Sequence, residues 1–203
     1  MSECRVDLLS LEASRAAAEE AGVSGLFAEL NVFRLLLRRP APARAIADLL
    51  VSLLSGGALA HRLRELVIMR IGWATDSDYE WTQHWKVAQE PFAVPPEDLL
   101  ALRDWRASER FDAADRIVLE ATDETLETGT LSEATFARCR EQLGEEACIE
   151  LVAAIGCWRM ISQLARSLAI PLEDGVASWP PDGMEPVGIG YTATSEPEKE
   201  TGP

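Results

Sequence analysis

Apolar positions along this chain recur at helical spacing, and the breaks between runs carry proline or glycine. Residues 26–38 keep the helical period and stop at Pro40 and Pro42. Residues 43–54 form a second run, closed by Gly56 and Gly57. Residues 61–73 are apolar almost throughout and predict a buried helix. Ser77 is the expected N-cap of the next helix, with Glu80 three residues on completing a capping-box pattern, and that helix ends before Pro91. Pro95 and Pro96 open a short helix to about Trp105. Residues 112–128 are strongly periodic and end at Gly129, Ser132 and Glu133 begin another helix, and Gly144 opens a last long one to Leu168. No segment alternates as a strand does, and no fixed short repeat is present.

The pattern predicts an all-α bundle over residues 25–175. Residues 1–24 read as an N-terminal helical extension rich in Ala and Glu. Residues 176–203, rich in Pro, Gly, Glu and Thr, read as a flexible or partner-wrapping tail. A length of 203 residues and a hydrophobic content of 47% suit one domain with an ample core. Helices apolar on more than one face predict an oligomer.

Charge narrows the partners. Nineteen Lys and Arg stand against 34 Asp and Glu, a net charge of -15, which argues against nucleic acid and anionic membrane surfaces. No N-terminal apolar leader and no apolar run of ~20 residues is evident, so a cytoplasmic location is expected. The four cysteines, Cys4, Cys139, Cys148 and Cys157, include no Cys-x-x-Cys pair and read as free thiols, Cys157 as a core residue.

The chemistry concentrates in residues 61–85. Ser77, Glu80 and His84 share one helical face. Each of the two histidines has a glutamate one turn away, His61 with Glu65 and His84 with Glu80. An acid beside a base in apolar surroundings suits proton transfer, because burial and mutual charge move both pKa values towards neutrality. Glu65 interrupts the apolar run 63–71, with Arg64 and Arg70 expected on other faces, so it either forms a buried ion pair or titrates. Trp73, Tyr79, Trp81 and Trp85 are candidate pocket walls and equally good core or interface residues. His61, Glu65, Glu80 and His84 together would also suit iron, zinc or manganese, although their spacing matches neither Glu-x-x-His nor His-Glu-x-x-His sites. Arg159 is a candidate cation for an anionic substrate. No phosphate loop, nucleophile elbow or dinucleotide fingerprint occurs.

The runs Arg64-Glu65-Leu-Val-Ile-Met-Arg70 and Tyr79-Glu80-Trp81-Thr-Gln-His84 resemble the carboxymuconolactone decarboxylase family, whose fold is shared with alkylhydroperoxidase D. Phe111-Asp-Ala-Ala-Asp115-Arg116, Gly156-Cys-Trp-Arg-Met160 and Ile170-Pro-Leu-Glu173 extend the resemblance over roughly residues 25–175. It implies an alkylhydroperoxidase D-like helical bundle that assembles into homotrimers or hexamers. In the peroxidase branch a glutamate precedes Cys-x-x-Cys-x-x-x-His. Here Glu65 and His84 match the glutamate and histidine, but Ser77 and Glu80 stand at the cysteine positions, which removes the thiol cycle. The decarboxylase branch carries a Glu-Trp-x-x-His pattern like residues 80–84. That likeness implies a lyase without cofactor or metal, acting on a small carboxylated or lactone-like substrate, with Glu65, Glu80 and His84 catalytic. Trp73, Tyr79, Trp81, Trp85 and His61 would then contact or support the substrate. The alternatives are a metal-dependent enzyme on the same four residues and a non-catalytic helical oligomer that binds a small molecule.

Overall fold

A computed structural model describes residues 4–187; the predicted tail from residue 188 onward lies outside the described residues. Among them the fold is all-α, with no strand. Ten α-helices run in order: α1 Leu11–Ala21, α2 Gly25–Ala28, α3 Asn31–Leu36, α4 Pro40–Leu54, α5 His61–Ala74, α6 Asp78–Gln89, α7 Pro96–Ala101, α8 Ala113–Thr128, α9 Glu133–Leu143 and α10 Glu145–Leu168. A single 3-10 turn, Leu102–Asp104, follows α7.

Helix α5 is the axis of the molecule. Every residue from 63 to 72 is buried, because α6, α8 and α10 pack around it. A helix apolar on all sides belongs in the centre of a bundle. Two of its arginines pair with neighbouring elements: Arg62 reaches Asp98 and Asp115 at 2.8 Å, and Arg70 grips Asp123 at 2.6 Å. Gly72 lets α6 approach closely, since a Cβ there would lie 2.9 Å from the Trp81 backbone nitrogen.

The elements depart from their sequence pattern at three places. The single helix expected over 26–38 is two short ones, because the Asn31 amide is turned out of the helix to donate to Glu173 Oε1 at 2.8 Å. Pro40 and Pro42 do not stop a helix but start one, occupying the first turn of α4, where amide donors have no helical acceptor. The capping box at Ser77 does not form: its hydroxyl is buried without a partner. A box of that kind closes α8 instead, between Asp112 and Asp115.

Helix α10 corrects the expectation that no apolar run reaches membrane length. Glu145–Ser167 has mean hydropathy 1.3, yet half of that window is buried inside the bundle, as a core helix requires. Glu150 on α10 accepts the Ala58 and Leu59 amides at 2.8 Å, anchoring the turn that leads into α5. The described part of the predicted tail, 176–187, folds back onto its own chain: Trp179 is buried, and its amide donates to Asp78 Oδ1 at 2.9 Å.

Candidate active site

The hairpin of α5 and α6 pairs acids and bases across the two helices rather than along each. Glu65 Oε2 meets His84 Nδ1 at 2.9 Å, nineteen residues away in sequence. Glu65 Oε1 accepts from Arg64 Nε and Nη2 at 3.3 and 3.2 Å, so the neighbouring arginine does not point elsewhere but shares the carboxylate. Arg64 is itself buried and spends its remaining donors on the Leu53 and Leu54 carbonyls and on His61 Nδ1 at 2.8 Å. The expected pairing of His61 with Glu65 is therefore absent. His61 sits on the exposed first turn of α5, against Phe92 and Arg64.

His84 is committed at both ring nitrogens. Trp158 Nε1 on α10 lies 3.2 Å from Nε2, and an indole nitrogen only donates, so Nε2 accepts and the proton sits on Nδ1, facing Glu65. Burial opposes protonation of this imidazole, but the Glu65 carboxylate outweighs it and the net shift is upward. Trp158 pulls the other way, because a protonated Nε2 would set two N–H groups head to head. The donor geometry at Nε2 decides for the neutral ring.

Glu80 is different. It is only 3% exposed, and neither carboxyl oxygen bonds to any described residue. Burial first, opposed by His84 and reinforced by Glu65, pushes its pKa up to about 7. It faces a cavity of about 80 Å³ together with Gln83 and His84, walled by Phe27, Phe33 and Trp158. Tyr79 also reaches the cavity, but its hydroxyl is engaged, donating to Glu173 Oε1 at 2.8 Å and accepting the Val32 amide at 3.2 Å. Burial, and then the Glu173 carboxylate, keep that phenol protonated. Gln83 Nε2 donates to the other Glu173 oxygen.

The tryptophans expected as pocket walls lie elsewhere. Trp73, Trp81 and Trp85 are absent from the cavity lining and stack on the far side of α6 with Trp179, at centroid distances of 5.3 to 6.2 Å. Arg103 lies 4.8 Å over Trp73. Arg159 points to the Thr125 carbonyl and not to the cavity. Sequence reasoning missed Arg64 as the partner of Glu65, Trp158 as the donor to His84, and Glu173 as the carboxylate behind Tyr79. Trp158 and Glu173 stand in the stretches 156–160 and 170–173 that carried the resemblance, but nothing there assigned them roles.

Nor do the four candidate metal ligands converge. Arg64 lies between His61 and Glu65, which places a positive charge where a cation would have to sit, and no cluster of three or more His, Cys, Asp or Glu suited to a metal occurs among the described residues. Cys139 and Cys157 are buried, each held protonated with a pKa pushed up to about 11, which disfavours thiolate chemistry.

Residues 40–124, which hold α4 to most of α8 and the whole hairpin, match the carboxymuconolactone decarboxylase family. Solved structures extend the likeness to the alkylhydroperoxidase D fold. A peroxidase-related alkylhydroperoxidase D core protein from Ralstonia eutropha superposes with TM-score 0.69 at 18% identity, covering 86% of this chain and 94% of that one. A peroxidase-related protein from a Silicibacter species gives 0.69 at 14%, covering 87% and 95%. A debrominase variant in complex with 2,3,4-tribromopyrrole gives 0.65 at 17%, covering 85% and 95%. At these identities the three structures establish the fold alone. No curated protein matches the chain significantly in sequence.

Proposed function

We propose that this protein is a cofactor-independent enzyme that moves a proton at carbon in a small carboxylated or lactone-like compound, a lyase or a related proton-transfer enzyme. The observation that carries this reading is Glu80. It is a buried carboxyl with no partner, poised near neutrality, in the wall of an apolar cavity. An acid–base group must hold its proton in one half of a cycle and release it in the other, and a pKa near the working pH serves both. In a decarboxylation, the electrons left by departing carbon dioxide collapse into the conjugated carbonyl. Glu80 then returns a proton to the carbon as the carbonyl re-forms. In an isomerisation, Glu80 takes that proton first.

His84 supports rather than carries this step. With Nδ1 on Glu65 and Nε2 under Trp158, it has no free site facing substrate. Glu65, fixed by Arg64, holds the imidazole in one orientation. The four cysteines, all free, agree with a reducing cytoplasmic setting. We further place the protein in a homo-oligomer, because Ile149, 70% exposed, continues through Val152, Ala153 and Gly156 as an uncovered apolar stripe on α10.

The test is deuterium uptake at carbon from heavy water, followed by NMR for a panel of small ketones and lactones. Uptake that disappears in Glu80→Gln supports the proposal, and uptake unchanged in that variant removes it. A non-catalytic binding role is the second reading, favoured by the small volume of the cavity beside the ~300–1,000 Å³ usual for ligand sites.

A further inference from the structure

We infer that Gln83 is a specificity residue of the Glu80 site, its amide oxygen accepting from a hydroxyl or N–H that the substrate carries close to the carbon receiving the proton. The inference rests on the acid–base reading of the same site and adds a second functional group to what binds there.

A chain of donors fixes which way each polar group in the cavity wall is turned. The Val32 amide can only donate, and it donates to the Tyr79 hydroxyl at 3.2 Å. That hydroxyl therefore sends its own proton onward, to Glu173 Oε1 at 2.8 Å. The same oxygen takes the Asn31 amide at 2.8 Å. Two donors thus hold Glu173 as an acceptor, and an acceptor is met by the nitrogen of the Gln83 side chain, not by its oxygen. With Nε2 drawn back to Glu173, Oε1 is the free end of the amide, and it accepts from no described residue.

This free oxygen stands beside the group that carries the chemistry. Gln83 and Glu80 both line the cavity, three residues apart on α6, a spacing that leaves Cβ atoms about 5–6 Å apart on one helical face. His84 offers no competing acceptor, since Trp158 takes its Nε2 and its Nδ1 faces Glu65. Tyr79 offers no donor, because its proton is committed to Glu173. Phe27, Leu30, Val32 and Phe33 present only apolar surface. The cavity wall thus combines a carboxyl that can pass a proton with an amide oxygen that can only accept.

A carbonyl compound with a hydroxyl or an N–H next to the carbonyl meets both groups at once. Hydroxy acids, enols and amides are of this class, whereas simple ketones and ethers are not. The bond to Gln83 would hold such a molecule with its reacting carbon within reach of Glu80. A carboxylate elsewhere on the substrate is compatible, because the cavity is open to solvent on one side. Water reaches Gln83 through the same opening, so the bond to substrate replaces one to water. Its net worth is then about 3- to 10-fold in affinity.

The test is a titration of three ketones of similar size into the full-length protein at pH 6. Hydroxyacetone carries the donor, butanone replaces its hydroxyl by a methyl, and fluoroacetone replaces it by a polar atom that cannot donate. The indole N–H resonance of Trp158, which borders the cavity and His84, reads binding. Hydroxyacetone is expected to bind about 3- to 10-fold more tightly than either of the others. In Gln83→Met, which keeps the length and removes the acceptor, that preference should vanish. In Glu173→Gln the partner can donate as well as accept, so the Gln83 amide is free to turn and the preference should shrink. Equal binding of the three ketones by the wild type overturns the inference, and so does no binding of hydroxyacetone or a preference that survives in Gln83→Met. The wild-type comparison needs no variant, so it decides alone if the Met variant fails to fold by circular dichroism. A preference for hydroxyacetone without deuterium uptake at carbon leaves the ligand class standing and removes the enzymatic reading. Uptake that runs equally well on butanone keeps that reading and overturns this one.

Discussion

Helix α6 has two faces that treat their polar atoms in opposite ways. On one, Trp81 and Trp85 stack with Trp73 and Trp179, and the Trp81 indole donates to the Pro180 carbonyl at 2.8 Å. The aromatic mass there is buried and its polar handle is satisfied, so it works as a structural joint between α5, α6 and the returning chain. On the other face a cavity remains, with one carboxyl left unpartnered on its wall. The difference teaches that aromatic density on this helix marks packing, whereas the unmet carboxyl stands where packing stops short. Natural cores rarely leave such groups without a reason.

Four measurements would break or sharpen this contrast. The largest effect is expected at Glu80: Glu80→Gln keeps the shape but removes the proton carrier, so deuterium uptake should fall about 100- to 10,000-fold. The fold should persist by circular dichroism. A loss under tenfold would mean that the two faces do not differ in function. The mirror experiment is Trp81→Ala, which empties a fully buried site on the joint face. It should cost about 3–5 kcal/mol in urea unfolding, and residual activity per folded molecule should track the wild type within a few-fold. A Trp81 variant that is stable but dead would move the active face to the wrong side of the helix.

The third measurement uses pH. Glu80 has a raised pKa in the folded protein, about 7 against an ordinary 4.5. Between those two values the folded state binds the extra proton, so its stability falls as pH rises and levels off once the folded pKa is passed. The wild type should therefore lose about 3 kcal/mol relative to Glu80→Gln between pH 4.5 and pH 8. A stability difference that does not change with pH would show the carboxyl to be solvated or paired. The smallest effect is set by Gly72→Ala. The added methyl must push against the Trp81 backbone, and overpacking of this kind costs about 1–3 kcal/mol. Melting by calorimetry reads it, and an unchanged melting temperature would show that the hairpin has slack.

The sequence made the helices legible because their apolar period and their proline and glycine borders are local properties. α5, α6, α8 and α10 fall where the pattern puts them. What stayed hidden is non-local. The break between α2 and α3 depends on Glu173, 142 residues from Asn31, and no window of sequence contains both. The same holds within the site. Glu65, Glu80 and His84 were visible as candidates, but spacing along one helix suggested His84 with Glu80, while the fold pairs His84 with Glu65 across two. Arg64 was set aside because helix geometry separates the backbone directions of adjacent residues. Its side chain is long enough to return to Glu65, which a helical wheel does not register. The tryptophans misled for a simpler reason: residue type says nothing of which face of α6 the cavity occupies.

Glu173 carries one more implication, for the order in which the molecule becomes competent. Its carboxylate ties the Asn31 amide, the Tyr79 hydroxyl and the Gln83 amide group into one junction behind the cavity, reaching back 142, 94 and 90 residues. During synthesis every helix named above leaves the ribosome before this residue does. The bundle can therefore collapse around α5 while the cavity wall is still open, and long-range closures of this kind are slow to form. A nascent chain halted short of residue 173 would hold the Glu80 carboxyl on a helix already packed against α5 but not yet tied to α3. Closure of the cavity wall is thus a late event, timed by the residue that joins α3 to α6.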